Sequence, residues 1–351
     1  MPRPSQTEIR TRAAPACHAC GQRGVPLYHG LRDRLFGAPG EWSITRCHDR
    51  ECGLLWLDPA PLEDDLSLAY EDYYTHREAP TGRDSRARRW YRKVVAGYHA
   101  VRFGYTDPQP AVLHRTLGRV LPLHPGRRAD ADFAVMYLPA LPGGRLMDVG
   151  AGNGAFLRRM ADLGWQVEGV DTDPAAVERS RDLGLEIHLG TLASRRHPDG
   201  RFDAITMSHL IEHVHDPAEL LRECHRILRP GGRLVVVTPN GESWGHRRFG
   251  PNWRGLEPPR HIHVFTPRAL RRLVASAGFG NVDTATTIRD ANGMLLASRD
   301  LRRRGSHRME TEPSAPARAW GRWMQWAEWL LTKARPEAGE EIALVAMKDA
   351  T

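Results

Sequence analysis

The sequence predicts an α/β layered fold built on a parallel sheet, and three observations carry that expectation. From Arg145 onward, short β-branched runs alternate with amphipathic helical stretches. One of those runs ends in a tight glycine turn, Gly150-Ala151-Gly152-Asn153-Gly154. Three helix starts are written alike, Asp173-Pro174, Asp216-Pro217 and Thr266-Pro267, each placing a capping side chain before a proline at the first helical position.

The candidate strands are Arg145–Val149, Gln166–Asp171, Leu185–Leu189, Phe202–Met207, Arg233–Thr238, Asn281–Ile288 and Ile342–Lys348. Phe156, Leu157, Met160 and Leu163 mark a helix directly after the glycine turn. The helix behind Asp216 adds Glu219 as a capping-box partner and lines up Leu220, Leu221, Cys224, Ile227 and Leu228 on one face, until Pro230-Gly231-Gly232 stops it. Cys224 is thereby expected in the core. Asn292–Ala338 reads as an irregular insertion that carries Arg299, Arg302, Arg303, Arg304 and the run Trp320, Trp323, Trp326, Trp329. Advancing three residues at a time, these Trp would fan across about half of a helix circumference.

With 351 residues, 41% of them hydrophobic and 26% charged, the chain supports a buried core rather than gross disorder. It holds no apolar run of about 18 residues and opens without an apolar signal segment, so the expected address is cytoplasmic. The formal charge is +8, and the segment Thr81–Asp130 alone sets eleven Arg or Lys against three acids. Arg83, Arg86, Arg88, Arg89, Arg92 and Lys93 are suited to grip phosphate, although a solvated helix face is the simpler reading. The expected organisation is a Cys-bearing module (13–60), a helical Arg-rich region (61–137) and a larger domain (138–351) whose insertion at 292–338 carries a Trp-rich helix.

Cys17-x2-Cys20 and Cys47-x4-Cys52 supply four thiolates on two short knuckles, which fits a closed, structural zinc site. His18 and His48 are alternative ligands. The glycine turn lets an anionic ligand approach the N-terminus of the following helix. Alone it also satisfies a dinucleotide fingerprint, and Asp171 at the end of the second strand suits the ribose of NAD or of another nucleotide-like cofactor.

The wider sequence separates these cofactors. Met147-Asp148-Val149-Gly150-Ala151-Gly152-Asn153-Gly154, then Gly169-Val170-Asp171-Thr172-Asp173-Pro174, then the stretch from Phe202 to Asn240 resemble, in order, the motifs of the class I S-adenosylmethionine-dependent methyltransferases. The resemblance covers about residues 140 to 350 and implies a Rossmann-like seven-stranded methyltransferase sheet. It further implies that Asp148, Gly150, Ala151, Gly152, Asn153 and Gly154 hold the methionine end of S-adenosyl-L-methionine, and Asp171, beside Thr172, its ribose. Gly190, Thr191 and Leu192 would lie near the adenine and Ser208 near the methionine moiety. The cysteine module, the following Cys52–Pro59 and Tyr70-Glu71-Asp72-Tyr73-Tyr74 are similar to the front end of a bacterial subgroup that includes sugar C-methyltransferases and enzymes of surface-glycan and natural-product pathways. That similarity implies a small or lipid-linked acceptor, phosphate-bearing ones included, and Tyr70, Tyr73 and Tyr74 could cover the cofactor.

A base is needed only where the acceptor loses a proton, and His209, His213 and the pair His261/His263 are the candidates. His213 follows the fourth strand and His261 the fifth, at the strand ends where such sheets present ligands, so these two are the expected catalytic residues. His261 stands among Trp253, Arg254 and Arg260, in a loop where a substrate could enter. No Asn or Asp followed by Pro-Pro-Tyr or Pro-Pro-Phe follows the fourth strand, and Cys224 is placed mid-helix, so an oxygen or carbon acceptor fits better than a nucleobase. The rivals are an RNA methyltransferase that grips RNA with the cysteine module and Arg segment, and a cofactor-binding scaffold without turnover. Peripheral membrane contact through the Trp run is a further option.

Overall fold

The computed structural model describes residues 8–70, 85–106, 109–308 and 311–350; Tyr73, Tyr74 and Arg83 lie outside the described residues. In chain order, strands β1 (Thr11–Arg12), β2 (Gly24–Leu31), β3 (Trp42–Cys47), β4 (Leu55–Leu57) and β5 (Ala60–Pro61) precede helices α1 (Arg86–Phe103), α2 (Val112–Val120) and α3 (Pro125–Ala134). There follow β6 (Arg145–Val149), α4 (Ala155–Asp162), β7 (Gln166–Asp171), α5 (Pro174–Asp182), β8 (Ile187–Leu189), β9 (Phe202–Ser208), α6 (Pro217–Ile227) and β10 (Leu228–Pro239). The chain closes with α7 (Trp244–Phe249), β11 (His263–Val264), α8 (Pro267–Ser276), β12 (Gly280–Thr287), α9 (Ala291–Arg304), α10 (Ala315–Ala334) and β13 (Glu341–Met347).

A seven-stranded sheet has the order β12-β13-β10-β9-β6-β7-β8. All seven expected strands are in it. β6 pairs in parallel with β7 on one side and β9 on the other, and β7 pairs in parallel with β8. The strand order therefore reverses at β6, and such a switch point opens a crevice at the carboxyl ends of the strands. The three proline-led helices start as expected. Asp173 Oδ1 accepts from Ala175 N (2.9 Å), Asp216 Oδ1 from Glu219 N (2.8 Å) and Thr266 Oγ1 from Ala269 N (3.0 Å). Cys224 is fully buried.

One expectation is corrected. β10 begins at Leu228 rather than Arg233, because Gly231 N donates to Lys348 O (2.9 Å) and Lys348 N to Gly232 O (3.0 Å), drawing the helix-stopping glycines into strand pairing. The insertion, expected to carry a Trp-rich helix, forms two helices, α9 and α10, and all four Trp fall on α10.

The chain divides into two compact units. One comprises Thr75–Met207, Glu223–Val235 and Val345–Thr351. In it α1 and α2 approach at two glycines: a Cβ on Gly97 would stand 2.0 Å from His114 O, and one on Gly118 2.4 Å from Tyr98 N. Val94, Tyr98, Leu121 and Ala131 form the core of this helical part, while Arg86, Arg88, Arg89, Arg92 and Lys93 are exposed along the start of α1.

The other unit comprises Met1–Tyr74, Ser208–Arg222 and Val236–Leu344. Its four-stranded sheet has the order β11-β4-β3-β2, with His263 opposite Trp56 and Val264 opposite Leu55. The Thr266 hydroxyl, which caps α8, also donates to Cys52 O (2.6 Å). Strand pairing and this shared cap thus join the cysteine segment to the chain that follows β10. Among the described residues, no helix is long and apolar enough to cross a membrane.

Candidate functional site

In the first unit, β6 runs its buried residues Leu146–Val149 into the glycine turn. Gly150, Gly152 and Gly154 take positive φ values of 77°, 54° and 74°, which a side chain would resist. A Cβ on Gly152 would meet nothing within 4 Å, whereas one on Gly154 would stand 2.7 Å from Leu185 Cδ1. The turn is therefore packed on its Gly154 side and open at Gly152, a cradle that a ligand can enter. Ala151 is buried and Asn153 exposed, its Oδ1 accepting from Ala155 N (3.1 Å) at the start of α4. Asp171 closes the turn: its Oδ2 accepts from Gly152 N (2.7 Å) and its Oδ1 from Asp173 N (2.8 Å).

Asp148 lies beneath this turn and accepts from the Thr206 hydroxyl (2.6 Å); burial pushes its carboxyl up to about 7. Gly190 N donates to Asp171 O (2.9 Å), bringing the start of the Gly190-Thr191-Leu192 segment to the same strand end. Thr172 and Thr191 are exposed and Leu192 is buried. An open glycine cradle with a carboxylate at its mouth fits the methionine and ribose parts of S-adenosylmethionine.

In the second unit, Ser208 is half-buried at the end of β9, and the chain then turns at His209, whose φ is 51°. His209 reaches Glu212 (3.3 Å) and Glu341 (3.0 Å). Burial alone would lower its pKa, but the hydrogen bonds to these carboxylates raise it to about 9, and Arg289 Nη2 stands 2.9 Å from Nε2, so the ring is tied into an ion-pair network. Glu341 also accepts from Arg289 Nε (2.8 Å). Glu212 is fully buried and accepts from the Thr238 hydroxyl (2.9 Å). Burial opposes its ionisation, yet the hydrogen bond to His209 and the neighbouring histidines hold it at about 2.

His213 is half-buried, and its Nδ1 lies 3.0 Å from Arg260 O and 2.9 Å from Tyr70 Oη. A carbonyl can only accept, so Nδ1 carries the proton and Nε2 is left as the acceptor. His261 stands edge-on to His213, ring centres 4.8 Å apart, with its Nδ1–H donating to Gly255 O (2.8 Å). It is only 4% exposed, and burial pushes it down to about 4. The loop expected to admit substrate therefore turns His261 inward, behind His213. Arg260 is also fully buried, donating to Glu257 Oε1 (3.0 Å), Asp33 Oδ2 (2.9 Å) and Ala69 O (2.8 Å).

Among the described residues of this unit, two groups of side chains could hold a metal. Cys17, Cys20, Cys47 and Cys52 bring their sulfurs within 4.8 Å of one another, with Cys17–Cys52 at 3.6 Å and Cys20–Cys47 at 3.4 Å. A tetrahedron with Zn–S bonds of ~2.3 Å has edges of roughly 3.8 Å, so the quartet fits zinc with small adjustments. His48 is exposed and His18 packs against His263 (4.6 Å between ring centres), so neither is needed. Glu212, His213 and His261 also offer one ligand atom each within 4.8 Å.

Sequence reading singled out His213, His261 and the glycine turn but missed Glu212, Glu257 and Glu341. Glu212 had a signal in its place directly before His213. Glu340 and Glu341 had another, as two acids opening an otherwise apolar strand.

Residues 126–284 match the family model described as "Methyltransferase domain". They form a class I S-adenosylmethionine-dependent methyltransferase domain. The chain is 32% identical over 166 residues to a ubiquinone biosynthesis O-methyltransferase of Alkalilimnicola ehrlichii, covering 45% of this chain and 63% of that protein. It is 34% identical over 163 residues to a probable S-adenosylmethionine-dependent methyltransferase of Mycolicibacterium smegmatis, covering 46% of this chain and 60% of the relative. The chain thus spans less than two thirds of these relatives' length. A solved S-adenosylmethionine-dependent methyltransferase from Thermotoga maritima aligns with a TM-score of 0.42 at 23% identity, covering 67% of this chain and 96% of that one.

Proposed function

We propose that this chain transfers a methyl group from S-adenosylmethionine to an oxygen or carbon of a small molecule, with His213 as the base and one structural zinc on the four cysteines. The observation that carries the reading is the commitment of His213 Nδ1–H to the Arg260 carbonyl, which presents Nε2 as a proton acceptor. When bound, S-adenosylmethionine supplies a methyl group already activated on a sulfonium, so alignment of the acceptor provides much of the acceleration. His213 Nε2 would accept the proton that the acceptor hydroxyl or acidic carbon loses, while the methyl group would pass from sulfur to the acceptor with S-adenosylhomocysteine as the leaving thioether. Glu212 and Glu257 are both held anionic in this cluster. His261 is neutral and buried and serves to position His213.

The names of the relatives favour an oxygen acceptor. The similarity of the N-terminal segment to sugar and natural-product enzymes supports a place in glycan or secondary-metabolite biosynthesis, lipid-linked acceptors included, in the cytoplasm.

Calorimetry with S-adenosylhomocysteine and NAD tests the donor half. S-adenosylhomocysteine should bind in preference, and Asp171→Ala should weaken it by about 1 to 3 kcal/mol. For the acceptor half, His213→Ala should lower turnover by about 10²- to 10⁴-fold with S-adenosylhomocysteine affinity nearly unchanged. Full turnover in that variant removes the base. Turnover lost on chelation and restored by a divalent cation, with zinc still present, would assign Glu212, His213 and His261 to a metal instead. Strongly salt-dependent RNA binding would favour an RNA substrate.

A further inference from the structure

α10 is turned inside out for a helix facing water. Its buried face consists of Gly321, Met324, Gln325 and Glu328, with Gln325 donating to Ile288 O (2.9 Å) and Glu328 accepting from Glu340 N (2.8 Å). Its outer face carries Trp323, 65% exposed, Trp326, 37%, and Leu330, 61%. Positions three, four and seven apart share one side of a helix, so these three side chains make a continuous apolar stripe. The other two Trp are covered by cations: the Arg299 guanidinium lies 4.5 Å over the Trp320 ring and Lys333 Nζ 5.0 Å over Trp329. Among the described residues, no cation covers Trp323 or Leu330 in this way.

Charge frames the stripe. α9 runs antiparallel to α10, since Gly321 faces Asn292 and Leu296 while Gln325 reaches back to Ile288. Because Arg299 lies over Trp320, the last turn of α9 continues toward the N-terminal end of α10, and its Arg303 and Arg304 are exposed. Arg318 and Arg322 of α10 are exposed at the same end, and Lys333 and Arg335 follow at the other. Among the described residues, the exposed acids flanking α10 are Glu312 before it and Glu337 after it, fewer than the exposed cations; Asp300 is already engaged by His307 (3.1 Å).

We propose that the α9–α10 hairpin docks this protein on an anionic lipid surface, with Trp323 and Leu330 entering the headgroup boundary and the arginines meeting lipid phosphates. Interfacial helices combine an apolar face with cations at headgroup level in this way, and neither element suffices alone. A second copy of the chain is a poorer occupant, because both ends of the stripe are basic and either orientation of a symmetric pair brings like charges together. RNA is poorer too: Trp326 and Trp329 meet edge-on at 82°, and Leu330 has no ring, so the stripe is not a set of open faces for base stacking. The proposal is independent of the methyl-transfer reading.

Co-sedimentation with vesicles tests it, using phosphatidylcholine alone and phosphatidylcholine mixed with phosphatidylglycerol. The full chain should bind the mixed vesicles and not the neutral ones, with affinity falling as salt rises. Trp323→Ala with Leu330→Ala, and separately Arg303→Glu with Arg304→Glu, should each weaken binding by about tenfold or more. All four side chains are exposed, and unchanged S-adenosylhomocysteine binding and an unchanged melting curve show that each variant is folded. Equal binding by the wild type and both variants overturns the proposal, as does absence of binding to mixed vesicles. Self-association abolished by Trp323→Ala, or RNA binding lost in the same variants without vesicle binding, overturns it in favour of a second copy or RNA.

Discussion

Arg260 ties two kinds of constraint together at a single residue. Its guanidinium is shared among Glu257, Asp33 and Ala69 O and lies 4.5 Å over the Phe36 ring, while its carbonyl fixes the proton on His213 Nδ1. Asp33 is in turn held by the backbone amides of Leu35, Phe36 and Ala38. Removing one partner of a buried ion pair strands the others, so Arg260→Met should cost about 3 to 5 kcal/mol in a denaturant melt. Arg260→Lys keeps the charge without the fork, and should lower turnover more than it lowers stability. Equal stability of Arg260→Met and the wild type would remove this role. In the sequence, Pro258-Pro259-Arg260-His261 reads as an open loop at the strand ends, and nothing in it shows that Asp33, far away in sequence, buries Arg260. His209 was equally opaque: it was one candidate base among several, and the structure ties it to Glu212, Glu341 and Arg289.

Among the elements, legibility followed periodicity. The strands of the large sheet are short β-branched runs between turn signals, and the proline-led helices carry their own caps, so both were found close to their bounds. The Trp-rich helix in the insertion was expected but its facing was not legible, because the inner face of α10 replaces an apolar stripe with Gly321, Gln325 and Glu328 and puts Trp outside. That inversion has a measurable consequence. Burial, and for Glu328 also the charge of Glu340, holds Glu328 well above the ordinary carboxylate range, and burial lifts Glu340 to about 7. Unfolded glutamates release their protons near pH ~4.3. From there up to about 7 the folded chain binds more protons than the unfolded one, so these two groups make stability fall as pH rises. Below the unfolded pKa the penalty is absent. Glu328→Gln resembles the protonated acid and retains an oxygen for Glu340 N. Its melting temperature should match the wild type near pH ~4.5 and exceed it near pH ~8, with the gap widening between. A constant gap across that range would mean that Glu328 is not the group titrating.

Across the whole molecule, the two halves of the proposed reaction come from different kinds of sequence. The glycine turn, Asp148 and Asp171 lie within one short stretch and were legible together. The base cluster gathers Tyr70, His213, Glu257 and Arg260 from segments scattered along the chain; the sequence singled out Tyr70 and His213 separately, and nothing in it brought them together. Those segments belong to the unit that contains the cysteine quartet. The links are direct: β4 pairs with β11, Leu57 N donates to Ile262 O (2.9 Å), the Thr266 hydroxyl donates to Cys52 O (2.6 Å), and Arg272 meets Asp49 at 3.1 Å. A metal that holds Cys47 and Cys52 in place therefore also holds the chain from Arg260 to Arg272, including the carbonyl that orients His213. Elemental analysis of protein prepared without chelators should find one zinc per chain. Because folding of so small a module is coupled to its metal, chelation should loosen this unit first. A displacement of about 1 Å at a reacting group can cost about 10²-fold in rate. Turnover should accordingly fall by that order on chelation while S-adenosylhomocysteine affinity, set by the glycine turn in the other unit, stays nearly constant. A Cys47→Ser/Cys52→Ser variant should reproduce the split without chelator. Full turnover in metal-free protein would leave the cysteines without influence on His213, and a parallel loss of S-adenosylhomocysteine binding would show that metal removal unfolds both units at once.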